Sequence, residues 1–169
     1  MRVIINEENL DSLNNEELIQ ICMEDIIREI RGKNPEVKSE IYKQLTDGQK
    51  IAFAFKVMFD HSKTVEEFYW YALYLMSELN AWPEMKSKAQ LFGDTKLVAI
   101  YERIEIALAE SKRLETDGNW KVTLSVVITN DLVNGIFNEY SRVSEESIEL
   151  IGDYIRQNLY EFIQGGIDQ

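Results

Sequence analysis

The sequence predicts an all-α protein, a single irregular bundle of six or seven helices around a buried, aromatic-rich central helix. Three observations carry this reading. Only 8 Gly and 2 Pro occur in 169 residues, whereas a sandwich or barrel needs turn residues at regular short intervals. Glu, Leu, Ile, Ala and Lys are abundant, a composition that favours helices. Apolar residues recur with a 3.6-residue period between well-marked caps. An apolar content of 45% argues against disorder despite the charge, and the length suits one domain, 1–169, with a sizeable core.

The elements follow in order. Asn14 or Asn15 caps a helix over Glu16–Arg31, with acids in its first turn, bases in its last and Gly32 as its stop. Leu18, Ile19, Cys22, Ile26, Ile27 and Ile30 form its buried stripe, which makes Cys22 an inert core thiol. Asn34-Pro35 opens a short helix to about Leu45, with Pro at the first helical position where its missing N–H costs nothing. Thr46-Asp-Gly-Gln49 has the form of a capping box and starts a helix over Asp47 to His61. Thr64-Val-Glu-Glu67 repeats that logic ahead of the aromatic stretch. Asn80-Ala-Trp82-Pro83 ends it, and Pro83 begins a short helix to Phe92. Gly93 suits a left-handed C-cap and Asp94 the next N-cap, before a long helix from Thr95 to about Leu114.

Thr116-Asp-Gly-Asn119 reads as the most flexible loop. The segment 120–128 is ambiguous. Alternation of Trp120, Val122, Leu124, Val126 and Ile128 is a strand pattern, while Leu124, Ile128, Leu132, Ile136 and Tyr140 recur every four. A lone strand has only Val3–Ile5 to pair with, and a two-stranded ribbon is marginal, so a helix over Val122–Tyr140 is favoured. Ser144 then caps a last helix through Gln164, closed by Gly165-Gly166. The words Pro35-Glu-Val-Lys-Ser39 and Pro83-Glu-Met-Lys-Ser87 recur 48 residues apart. Two weak copies of a common helix start make a chance recurrence the better account than a stacked repeat.

The stretch Glu66–Met76, EEFYWYALYLM, is apolar on every side of a helical wheel. Phe68, Tyr71, Ala72, Leu75 and Leu79 share one face, Tyr69, Leu73 and Met76 a second, and Trp70 with Tyr74 a third. Such a helix is normally surrounded, so it should anchor the core. Three tyrosines temper that, because each buried hydroxyl needs a partner. Some of them, with Trp70, should reach the surface or a wet cleft.

No catalytic residue, cofactor or metal site is assigned. His61 is the only histidine, and Asp60-His61-Ser62 are chain neighbours that cannot converge as a triad. One histidine also forbids the paired Glu-x-x-His motifs of carboxylate-bridged metal sites. Glu102 and Glu105 read as surface carboxylates among Arg103 and Lys112. No Gly-rich phosphate loop and no G-x-S-x-G is present. The single cysteine excludes an internal disulfide. With no signal-like N-terminus and no run of 18 apolar residues, a cytoplasmic location is expected.

Charge supplies the functional reading. The net formal charge is −12, unevenly spread: residues 1–40 carry ten acids against five bases, 116–169 nine against three, and 41–115 eleven against ten. Direct nucleic-acid binding and an anionic membrane surface are both disfavoured, since each needs a basic face. Glu146, Glu149 and Asp153 form an acidic stripe on the last helix, and the first helix adds Glu16, Glu17 and Glu24. These six residues are the candidate surface for a basic protein partner, as in a regulator, inhibitor or antitoxin-like protein. Duplex mimicry is the extreme form, but one stripe gives about one charge per 5.4 Å turn against one per about 1.7 Å of DNA. It would require the two terminal helices side by side. The alternative function is a small-ligand binder or enzyme with a tyrosine-lined cleft at Tyr69, Trp70 and Tyr74.

Overall fold

The computed structural model of the chain describes residues 10–77, 79–114 and 131–163. Every element among them is a helix: α1 (Asn15–Ile30), α2 (Pro35–Lys43), α3 (Asp47–Asp60), α4 (Val65–Ser77), α5 (Trp82–Phe92), α6 (Thr95–Leu114), α7 (Asp131–Gln157) and the single turn α8 (Leu159–Phe162). The all-α class is therefore observed, with eight helices among the described residues where six or seven were expected. The predicted loop at 116–119, the ambiguous segment 120–128 and Gly165-Gly166 lie outside them.

Local chemistry sets the boundaries. Asn14, not Asn15, caps α1: its Oδ1 accepts the Glu17 N–H at 2.9 Å, and Glu17 Oε2 accepts the Asn14 N–H at 2.9 Å. Gly32 follows with φ +72°, a left-handed conformation that a side chain would strain. Asn34 caps α2 through the Val37 N–H at 2.9 Å, with Pro35 in the first turn. Thr46 and Gln49 exchange their capping-box bonds, both at 3.1 Å. At α4 the device is shifted by one residue. Thr64 Oγ1 accepts the Glu67 N–H at 3.2 Å, but Glu67 Oε2 reaches back to the Lys63 N–H at 3.0 Å. Gly93, with φ +81°, ends α5, and the buried Asp94 caps α6 by accepting the Leu97 N–H at 3.0 Å.

One boundary is corrected. Ser144 does not open a last helix, because α7 runs unbroken from Asp131 to Gln157. Its hydroxyl instead donates to the Ser141 carbonyl at 2.9 Å, the way a mid-helix serine satisfies itself. The buried series Val133, Ile136, Tyr140, Val143, Ser147, Ile151 and Ile155 passes through this point without interruption, so a break would expose a continuous apolar stripe. The helix ends at Gln157, short of the expected Gln164, and a single turn follows.

The chain divides into two compact units, Met1–Lys56 with Glu146–Gln169, and Val57–Glu145; the dividing points fall within α3 and α7. In the first unit the core includes Leu18, Ile19, Cys22, Met23, Ile26, Ile151, Ile155 and Phe162. Burial pushes the Cys22 thiol up to about 12, so it stays protonated and inert. In the second unit Phe68 meets Tyr140 at 4.7 Å between ring centroids and Phe137 at 5.8 Å, and Trp82 meets Tyr101 at 5.0 Å. Phe68, Tyr69, Tyr71, Ala72, Leu73 and Leu75 are all buried, so α4 is an anchor of this unit on two of its three faces. The recurring Pro-initiated helices differ in burial: α2 has no buried residue, whereas α5 buries Trp82, Met85, Lys88 and Ala89.

Candidate functional site

In the first unit one amide, that of Asn15, holds two of the acidic residues of α7. Gly152 lets the start of α1 approach α7 closely; a Cβ there would stand 2.3 Å from Asn15 Cγ. From that position Asn15 Nδ2 donates to Glu149 Oε2 at 2.7 Å and lies 3.5 Å from Asp153 Oδ1. Its Oδ1 accepts from Arg156 Nε at 3.2 Å. The rest of that guanidinium is taken up by backbone carbonyls, Leu10 at 3.0 Å and Leu13 at 2.6 Å. Glu16, Glu149 and Asp153 are exposed around this contact. The end of α7 and the start of α1 are thus juxtaposed. Glu17 is exposed but spends an oxygen on its capping box. Glu146 is exposed one turn before Glu149, and Glu24 is exposed two turns further along α1.

Other acids are ion-paired in both units, Arg28 with Asp25 and Lys43 with Glu40 at 2.8 Å in the first. In the second, Lys86 pairs with Glu105, Arg103 with Glu139, and Lys88 with Glu84 at 3.5 Å. Glu105 and Arg103 are therefore surface charges matched by oppositely charged neighbours, in keeping with the near-neutral balance of 41–115.

The tyrosine-cleft residues are divided by the helix that carries them. Tyr69 is 1% exposed and belongs to the core, while Trp70 is 56% exposed and Tyr74 half-buried. Trp70 and Tyr74, one turn apart on α4, hold their rings parallel to within 1° with centroids 5.6 Å apart. Tyr71 lies 5.9 Å from Tyr74 and stacks on the His61 imidazole at 4.3 Å. Burial, then Tyr74 and Asp60, push the Tyr71 hydroxyl up to about 12, so it remains a neutral donor. Sequence reasoning counted Tyr71 among the tyrosines that could reach a wet cleft but left it out of the candidate site, and it did not bring His61 or Asp60 to this cluster. The signal for Tyr71 was its place beside Trp70; that for His61 and Asp60 was absent, since their approach depends on how the turn after α3 folds back.

Glu161 was also missed. It is 8% exposed, yet it accepts the Gly48 N–H at 2.9 Å and the Tyr154 hydroxyl at 2.7 Å, with Thr46 as a third donor. Burial alone would raise this carboxyl; the three hydrogen bonds outweigh it and hold it below the usual carboxylate range. Its position at the N-terminus of α3 satisfies a helix N–H that would otherwise lack an acceptor. Every contact it makes is structural.

No protein-family model, curated protein or solved structure matches this chain. Among the described residues, no group of three or more His, Cys, Asp or Glu side chains is placed to hold a metal ion, and no helix is long and apolar enough to cross a membrane.

Proposed function

We propose that this protein is a non-enzymatic interaction module that binds a basic protein partner through the acidic surface of its first unit. Glu16, Glu149 and Asp153 form its centre, with Glu146, Glu17 and Glu24 around them. The observation that carries the reading is how the charges are held. Asp25, Glu40, Glu84, Glu105 and Glu139 each meet a lysine or arginine, whereas Glu149 and Asp153 meet the neutral amide of Asn15. Their orientation is fixed by hydrogen bonds to an amide, with Arg156 on its other side, and not by a direct ion pair. A partner's cations then find oriented carboxylates, and the field of a −12 chain steers the approach. The same charge repels phosphate, which keeps nucleic acid a disfavoured partner.

The test is affinity capture from the native extract at low and high salt, using wild-type and E149K/D153K baits. A basic protein retained by the wild type at low salt and lost by the reversed bait supports the reading. Equal retention by both baits, or capture of acidic proteins only, overturns it. The tyrosine-cleft alternative loses Tyr69 to the core and comes down to the exposed face of α4.

A further inference from the structure

The exposed face of α4 has a definite chemical order. Glu66, Trp70 and Tyr74 stand at i, i+4 and i+8, a single stripe along the helix. Glu66 is half-buried and makes no ion pair with another described residue. Beyond it come the two parallel rings, with the indole 56% exposed. Asp60 is exposed beside Tyr71, close enough to act on its hydroxyl. Lys63, three residues before Glu66, is turned onto the Phe59 ring at 3.6 Å, so an ammonium already rests on an aromatic face of this unit.

More than half of the Trp70 surface faces water, which leaves a ring face open to a binding partner. Its neighbours decide the occupant. A nucleobase would bring phosphates towards Asp60, Glu66 and a strongly negative chain, which is unfavourable. A purely apolar helix would have to desolvate the Glu66 carboxylate without pairing it. A cation gains from both features, because ring faces are electron-rich and the carboxylates are negative. Between the two cationic side chains, the flat guanidinium suits the flat rings: it stacks on an aromatic plane while its edge donates to a carboxylate, and it sheds water more readily than an ammonium.

We propose that Glu66, Trp70 and Tyr74 form a receptor for an arginine side chain of a partner protein, the guanidinium stacking on the ring faces and donating to Glu66. The site lies wholly within the second unit and stands independently of the acidic surface in the first. Arginine is favoured over lysine here.

The experiment is a titration with a short oligo-arginine peptide, an oligo-lysine peptide of equal length and the matching citrulline peptide, whose side chains keep the shape and lose the charge. It is run in the E149K/D153K background, so that the first unit does not contribute. Two readouts are taken: the Trp70 indole N–H resonance, assigned by its disappearance in W70F, and the dissociation constant by titration calorimetry, which the variants lacking Trp70 also report. The arginine peptide should move this resonance, lysine less, and citrulline not at all. W70A/Y74A should weaken arginine binding by at least about fivefold, the range for losing cation–π contacts, with helix content by circular dichroism unchanged. W70F should retain most of the affinity. The proposal is overturned if citrulline or a neutral oligosaccharide moves the resonance as far as arginine does, or if W70A/Y74A binds unchanged. Should the double variant lose helix, the arginine and citrulline comparison in the background protein decides by itself.

Discussion

Two glycines of the same helix illustrate how little a residue's identity says without its surroundings. Around Gly135 no atom of the described residues outside the helix lies within 4 Å of an added Cβ, while at Gly152 Asn15 stands at 2.3 Å. Gly135→Ala should therefore stabilise the protein by about 0.5–1 kcal/mol through helix propensity. Gly152→Ala should destabilise it by about 1–3 kcal/mol through overpacking and disturb the amide that orients Glu149 and Asp153. Urea denaturation midpoints check both signs. Glu161 supports a pH prediction. Its folded-state pKa is depressed, so its contribution to stability is complete above the unfolded carboxyl pKa and is lost as pH falls through the folded one. Glu161→Gln should lower stability at neutral pH and flatten the acid limb of the stability profile; an unchanged acid limb would show that the carboxylate plays no such part.

At the scale of the element, α4 shows both halves of the sequence reading. The wheel separated three faces, and two of them are core: Phe68 is 0% exposed and Leu75 3%. Leu75→Ala or Phe68→Ala should cost about 2–5 kcal/mol, the range for large-to-small changes in a packed interior. Trp70→Ala, on the open face, should cost far less, and thermal melts of the three variants separate these outcomes. Caps were legible because each is a local exchange of hydrogen bonds among residues three or four apart, as at Asn14–Glu17 and Thr46–Gln49. Ser144 misled for the same reason. A serine followed by acids is a cap when the chain arrives extended and a back-bonded hydroxyl when it arrives helical, and only the residues packed on α7 choose between them.

For the whole molecule the governing quantity is the −12 charge. If the acidic surface binds a basic partner, association should be fast at low salt and slow steeply as the Debye length shrinks to about 8 Å at physiological ionic strength. Charge reversal at Glu149 and Asp153 should act mainly on the on-rate. Reversal at Glu102, in the balanced stretch, should act less, and stopped-flow association across a salt series distinguishes the two. Identical salt slopes for both variants would remove the surface from the account. We also propose that the chain unfolds in one transition, since α3 and α7 each belong to both units. Coincident melting by far-ultraviolet circular dichroism and by tyrosine fluorescence tests this.

The sequence by itself determined the helical class, most of the caps, the inert Cys22 and the charge asymmetry, because each follows from composition or from contacts within a turn or two. Tertiary structure decided what long-range approach alone can decide. Asn15 met Glu149 and Asp153 across more than a hundred residues because Gly152 left room for it. Glu161 found the N-terminus of α3, and α4 turned Tyr69 inward and Trp70 outward according to which neighbours covered each face. Side-chain period assigns a residue to a face, but the free energy of burial assigns that face to the core or to water.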